Sequence, residues 1–225
     1  MQEMMPTPYE GKLRKHTLKI PSVIRKCSGI YIFGRRIRSL VFSTDLAIIN
    51  NVDADAVLAV HPFTPQLRII QGIVSTSDIP VFAGVGGGLT QGARVTQMAI
   101  LAESQGAIGV VVNAPTDNAS IRTLANNIEL PVVVTVVNED HDIGQRLESG
   151  AAILNVSAAK KTPELVRTIR KEFPQVPIIA TGGPTEETIR ETISAGANAI
   201  TWTPPSTAEL FASIMQAYRE NQPHP

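Results

Sequence analysis

From residue 37 onward the chain repeats one arrangement: a short run rich in Val, Ile and Ala, a polar or glycine-bearing turn, then a stretch whose apolar residues fall at helical spacing. Eight such units are present. The runs that read as strands are Ile37 to Ser43, Ala56 to Pro62, Pro80 to Gly84, Ala107 to Asn113, Pro131 to Val137, Ala151 to Ser157, Val176 to Ala180 and Ala197 to Trp202. They lie about 20 to 27 residues apart, the length of one strand plus one crossover helix. Helical stripes are clearest at Leu165, Val166, Ile169 and Phe173, and at Leu210, Phe211, Ile214, Met215 and Tyr218, each implying a face packed on a sheet. Thr116-Asp117, and Thr185 followed by Glu186 and Glu187, read as helix starts. Eight mostly apolar strands alternating with eight helices predict an α/β fold, a closed parallel TIM (βα)8 barrel over residues 37–225, in preference to an open doubly wound sheet.

A barrel of this kind places its chemistry in the loops after the strands. In chain order they offer Ser43-Thr44-Asp45, His61 with Thr64, Gly84-Val85-Gly86-Gly87-Gly88, Asn113 with Thr116 and Asp117, Asn138 to Asp142, Asn155 with Ser157, Lys160 and Lys161, Thr181-Gly182-Gly183, and finally Thr201, Thr203 and Ser206. The paired glycines after the seventh strand let backbone N–H groups approach a ligand, although the same pair also makes an ordinary strand-to-helix corner. Phosphate in such barrels sits between the seventh and eighth loops. Here the eighth loop, Thr201-Trp202-Thr203-Pro204-Pro205, carries two prolines that lack an N–H. His61 has the residue type for a general base, and equally for a hydrogen-bonded structural group. Glu139-Asp140-His141-Asp142 has the donors of a metal site, but acidic residues also open helices for dipole reasons and no His-Glu-x-x-His spacing accompanies them. No metal and no cofactor is expected.

Composition adds limits. With 225 residues, 43% of them hydrophobic and 18% charged, the chain has the balance of a globular protein with an ample core. Cys27 is alone, so no internal disulfide forms and zinc-ligand spacing is absent. No apolar run suffices to span a bilayer, and Met1 to Glu10 is polar and proline-punctuated rather than leader-like, so a cytoplasmic protein off the membrane is expected. Net charge is zero but uneven: among residues 1–40, Lys12, Arg14, Lys15, Lys19, Arg25, Lys26, Arg35, Arg36 and Arg38 outnumber Glu3 and Glu10. These cations alternate with Leu13, Leu18, Ile20, Val23, Ile24, Ile30, Tyr31 and Ile32, which favour burial. Residues 1–36 therefore read as a basic extension or cap on the barrel, not a nucleic-acid arm. The apolar residues of segment 13–32 imply cover by a second copy, hence a homo-oligomer, a dimer by preference.

Within this frame Gly106-Ala107-Ile108-Gly109-Val110-Val111-Val112-Asn113-Ala114-Pro115-Thr116-Asp117, Ile128 to Val134, Leu147 to Val156 and Ile179 to Pro184 together resemble the 2-keto-3-deoxy-6-phosphogluconate aldolase family, within the ribulose-phosphate-binding barrels. The resemblance extends back to Gly86-Gly87-Gly88-Leu89-Thr90 and weakly forward to Trp202, somewhat more than half of the chain. It implies a phosphate-binding barrel. The departures bear on activity: the Schiff-base lysine that the resemblance places on the sixth strand is Asn155 here, and the proton-shuttling glutamate near the end of the second strand is absent, with Ala59 and His61 in its place. Asparagine forms no imine, so the family's route is closed. Lys160 and Lys161, just beyond, precede Thr162-Pro163 and read as solvated lysines at a helix entry.

The reading is an enzyme of lyase or isomerase type acting on a small phosphorylated sugar or keto acid. His61, Asp45 and Asn155 are the catalytic candidates. Gly86, Gly87, Gly88, Asn113, Thr181, Gly182, Gly183, Thr201 and Thr203 are the substrate- and phosphate-binding candidates. A hydrolase using His61, Asp45 or the 139–142 cluster, and a noncatalytic ligand-binding or scaffold barrel, are the alternatives.

Overall fold

The computed structural model describes residue 7 and residues 17–223, so Glu3, Glu10, Lys12, Leu13, Arg14 and Lys15 lie outside the described residues. The described chain opens with a 3-10 turn, Ser22–Lys26, and a hairpin of β1 (Ile30–Ile32) and β2 (Arg35–Ile37). Eight units follow: β3 (Ser39–Phe42) and α1 (Leu46–Ile49), β4 (Ala56–Ala59) and α2 (Leu67–Thr76), β5 (Val81–Gly86) and α3 (Ala93–Ser104), β6 (Gly109–Val112) and α4 (Asn118–Ala125). Next come β7 (Val132–Val136) and α5 (Ile143–Glu148), β8 (Ile153–Val156) and α6 (Thr162–Glu172), β9 (Ile178–Thr181) and α7 (Glu186–Ser194), β10 (Ala199–Trp202) and α8 (Thr207–Arg219). Strands β3 to β10 pair in sequence order, all parallel, and β10 closes on β3. This is the (βα)8 barrel that the repeated pattern predicts.

Each strand is buried on both faces, which is why its sequence is a continuous apolar run rather than an alternating one. Leu40, Leu58, Phe82, Val133, Ile153, Ile179 and Ala199 point inward and fill the barrel. Val41, Val57, Val110, Val134, Leu154, Ile178 and Ile200 point outward and meet the helices, for example Leu165, Val166 and Ile169 of α6. The helix starts follow the sequence: Asp117 accepts from Ser120 N at the head of α4, and Thr185 heads α7 in a reciprocal cap with Thr188.

Two features depart from expectation. The hairpin, whose three-residue strands are too short to show a period and which carries Arg35-Arg36, tucks Ile30, Ile32 and Ile37 under the amino ends of the barrel strands. Its tight turn uses positive φ at both Phe33 and Gly34. The segment before it lies along the barrel's outer wall: Leu18 bridges to Val52, Ile20 N donates to Asp53 Oδ1, Gly29 N donates to Asn198 O, and the 3-10 turn packs on α7. Ile20, Val23, Ile24 and Cys27 are thereby buried in the same layer as Val41, Ile189 and Ile200. The chain's own barrel thus covers Ile20, Val23 and Ile24, while Tyr31 is 70% exposed and Leu13 lies outside the described residues.

That layer is where the helix after β10 would pack. Accordingly α8 does not bury its stripe: Ala217 is buried, whereas Phe211, Met215 and Tyr218 are 59%, 42% and 50% exposed. The expectation that all five stripe residues face a sheet is corrected, because the N-terminal segment occupies the place. No helix among the described residues is long and apolar enough to cross a membrane.

Candidate functional site at the carboxyl end of the barrel

Because inward and outward residues alternate along a strand, the residue two beyond each inner-core position also faces inward, one layer nearer the carboxyl end. The positions so placed are Phe42, Val60, Gly84, Val111, Thr135, Asn155, Thr181 and Thr201. They ring a single mouth. Among the described residues four buried side-chain polar atoms have no hydrogen-bond partner, and three of them lie at this end: His61 Nδ1, Asn155 Oδ1 and Thr201 Oγ1. The fourth, Arg38 Nε, is at the opposite end, 3.8 Å from Asp55 Oδ2. A buried polar atom without a partner destabilises the fold, and three of these four are gathered at one end of the barrel.

His61 follows β4 and lines a small cavity of about 90 Å³ with Thr64, Gly84, Gly86, Gly88, Thr90 and Asn113. Its ring is tilted against Phe63, with centroids 6.1 Å apart. The glycine turn facing it is dictated by close approach. Gly86 and Gly87 have φ of 132° and 96°, and a Cβ on Gly87 would stand 2.0 Å from Thr116 Oγ1 and 2.8 Å from Asn113 N. Gly87 N donates to Thr90 O and Asn113 N to Gly86 O, which locks this turn to the end of β6. Gly88 is different: a Cβ there meets only Asn113 Nδ2, at 3.7 Å, so its space opens on the cavity.

Across the mouth, Asn155 Nδ2 donates to Thr135 Oγ1 at 3.3 Å, and Thr181 Oγ1 donates to Ser157 Oγ at 3.1 Å. Thr203 is exposed at the rim. The seventh loop departs from the expected anion cradle. Gly182 N donates to Thr201 O within the strand ladder, and its missing Cβ makes room for Ile200 and Ile189. Gly183, at φ 83°, admits Thr188, and Pro184 has no N–H. With Glu186 and Glu187 in its first turn, α7 already carries negative charge where an anion would sit. Gly182 is thus a glycine for packing, whereas Gly183 also lines a cavity of about 520 Å³ with Lys19, Thr181, Thr201 and Thr203.

The remaining candidates have structural partners. Asp45 caps α1, accepting from Ala47 N and Ile48 N, and also accepts from the hydroxyl of Thr207; that last bond is the chief reason its carboxyl is held below its ordinary pKa. Lys160 and Lys161 are exposed in the turn before α6. Asp142 caps α5, and His141 Nδ1 lies 3.1 Å from Arg146 Nη2. Among the described residues no group of three or more His, Cys, Asp and Glu is arranged to hold a metal ion. Burial pushes the Cys27 thiol up to about 12, which makes it unreactive. Trp202 faces the outer layer and the hairpin closes the opposite end, so neither obstructs the mouth.

Arg146, which sequence reasoning passed over, is a buried cation whose Nη1 donates to Thr116 O and whose Nη2 donates to Ala114 O at 2.9 Å. It fixes the loop after Asn113. A lone Arg in a short helix carries no sequence signal for that role.

No family model and no curated protein sequence matches the chain. Solved structures do. A putative phosphonomutase from Burkholderia cenocepacia J2315 superposes with a TM-score of 0.63 at 15% identity, covering 81% of this chain and 92% of that one. A phosphonopyruvate hydrolase does so at 0.61 and 14%, covering 85% of each. The 4-hydroxy-tetrahydrodipicolinate synthase of Methylacidiphilum fumariolicum SolV gives 0.59 and 14%, with 82% and 74% covered. At such identities the likeness is one of fold: the chain is a TIM barrel. The finer resemblance to 2-keto-3-deoxy-6-phosphogluconate aldolases is not supported, because the strand-glycine-helix pattern that carried it is common to many such barrels.

Proposed function

We propose that the protein is an enzyme of lyase or isomerase type that acts on a small phosphorylated sugar or keto acid without a Schiff base. The observation that carries this reading is His61, whose Nδ1 is buried without a partner in a cavity walled by the glycine turn and Asn113 at the open end of the barrel. Lyases and isomerases of carbonyl compounds share one need, a base that removes a proton next to a carbonyl and a donor for the oxygen that gains negative charge. His61 is the base and Asn113 Nδ2, across the cavity, the donor. The similarity to a phosphonomutase and a phosphonopyruvate hydrolase supports the choice of small phosphorylated compounds. The phosphate seat is the turn at Gly88 with Thr64 and Thr90, in preference to the seventh loop, where Gly182 N is bonded to Thr201 O, Pro184 has no N–H and Glu186 and Glu187 oppose an anion.

The test is a thermal-shift panel of sugar phosphates, keto acids and inorganic phosphate on the wild type and on Gly88→Asp. A member that stabilises the wild type and not Gly88→Asp supports the reading; a panel without any stabilising member overturns it.

A further inference from the structure

The ring of inward positions at the mouth divides into two arcs. Phe42, Val60, Gly84 and Val111, from β3 to the end of β6, are apolar, while Thr135, Asn155, Thr181 and Thr201, on β7 to β10, are all polar. None of the eight is charged. Within the polar arc Thr135, Asn155, Ser157 and Thr181 are joined in two hydrogen-bonded pairs. Asn155 Oδ1 and Thr201 Oγ1 are left over, in side chains only 8% and 7% exposed. Turning the Asn155 amide over would pair its oxygen with Thr135 and leave its nitrogen unpaired instead, so one amide atom is orphaned in either orientation.

We infer that this arc is a subsite for the uncharged, hydroxyl-bearing carbon chain of the substrate, which makes the substrate a sugar phosphate rather than a keto acid. The inference rests on the reading of the mouth as a site for a small phosphorylated compound, and decides between its two substrate classes. A ligand hydroxyl both donates and accepts, so one hydroxyl satisfies Asn155 and a neighbouring one Thr201. The C–H edge of the same chain lies against Phe42, Val60 and Val111. A keto acid would instead set its carboxylate against four neutral side chains, one of them presenting an amide oxygen; Lys19 lines the cavity that Thr181 and Thr201 share, but Glu186 stands on the same wall and offsets its charge, so a carboxylate there is unfavourable.

The orphaned hydroxyl gives a test with opposite signs. Thr201→Val keeps the shape and removes the unpaired atom, so the unliganded protein melts at a higher temperature while affinity for sugar phosphates falls about tenfold. Thr201→Ser restores that affinity. The probes are ribose 5-phosphate, glucose 6-phosphate, glycerol 3-phosphate, pyruvate, phosphoenolpyruvate and inorganic phosphate, titrated calorimetrically. Tighter binding of sugar phosphates than of either pyruvate compound, with inorganic phosphate unaffected by Thr201→Val, supports the subsite. Tighter binding of pyruvate or phosphoenolpyruvate overturns it, as does a Thr201→Val protein that melts lower or binds sugar phosphates unchanged; in those cases the enzyme reading stands. Absence of binding by every probe overturns both.

Discussion

Arg146 Nη2 stands 3.1 Å from Nδ1 of His141, and no ion pair to Arg146 is present among the described residues. The guanidinium donates, so His141 accepts and is neutral. Burial first, and then the charge of Arg146, hold its pKa below the ordinary value, with Asp140 opposing. The unfolded chain therefore binds a proton that the folded chain refuses. Stability from this contact is complete above the unfolded pKa of about 6.5 and is lost as the pH falls below it. Urea midpoints measured at about pH 7 and pH 5 should fall further for the wild type than for His141→Gln. Equal losses in the two proteins would remove His141 from the account.

The glycine turn separates a glycine needed for the backbone from one needed for the cavity. Gly87→Ala places a Cβ against Thr116 Oγ1 and Asn113 N at a positive φ and should cost about 2 to 4 kcal/mol. Gly88→Ala has room for its methyl and should unfold like the wild type. Chemical denaturation of both variants checks this, and a Gly88→Ala protein as damaged as Gly87→Ala would mean that the turn is packed throughout.

Asp45 is committed to capping. Replacing it with Ala should cost about 1 kcal/mol through the lost bonds to Ala47 N, Ile48 N and Thr207. The depressed pKa makes this contribution present above the unfolded carboxyl pKa of about 3.9 and lost as the pH falls beneath it. Asp45→Asn should retain turnover once a substrate is in hand. Loss of turnover at unchanged stability would return Asp45 to the chemistry.

The position of α8 outside the core is open to a direct comparison. Leu165→Ala, in a side chain 3% exposed, should destabilise by about 3 kcal/mol, and Met215→Ala by less than about 1 kcal/mol. Similar losses at the two sites would mean that α8 packs on the barrel after all.

The sequence pattern made the barrel legible because parallel strands covered on both sides leave long apolar runs, and each of the eight read from it is present. What it hid was occupancy. The stripe on α8 is as regular as that on α6, yet Ile20, Val23 and Ile24 reach the outer wall first, a competition between segments far apart in the chain. The hairpin is too short to show a period. At the site, residue type placed Asn155, Thr201 and His61 at the mouth, since strand alternation alone orients the first two. It did not distinguish Gly182, whose N–H is taken by Thr201 O, from Gly88, whose surroundings are open. That difference lies in neighbours, which a glycine in a sequence does not reveal.

The claim at the centre is proton transfer by His61 at the barrel mouth. It is tested most directly by incubating a compound that binds the protein in heavy water and following its carbonyl-adjacent hydrogen by NMR. Wild-type protein should replace that hydrogen with deuterium, and His61→Ala should bind the same compound without doing so. Exchange that persists undiminished in His61→Ala, or that is absent for every compound the wild type binds, would contradict the account.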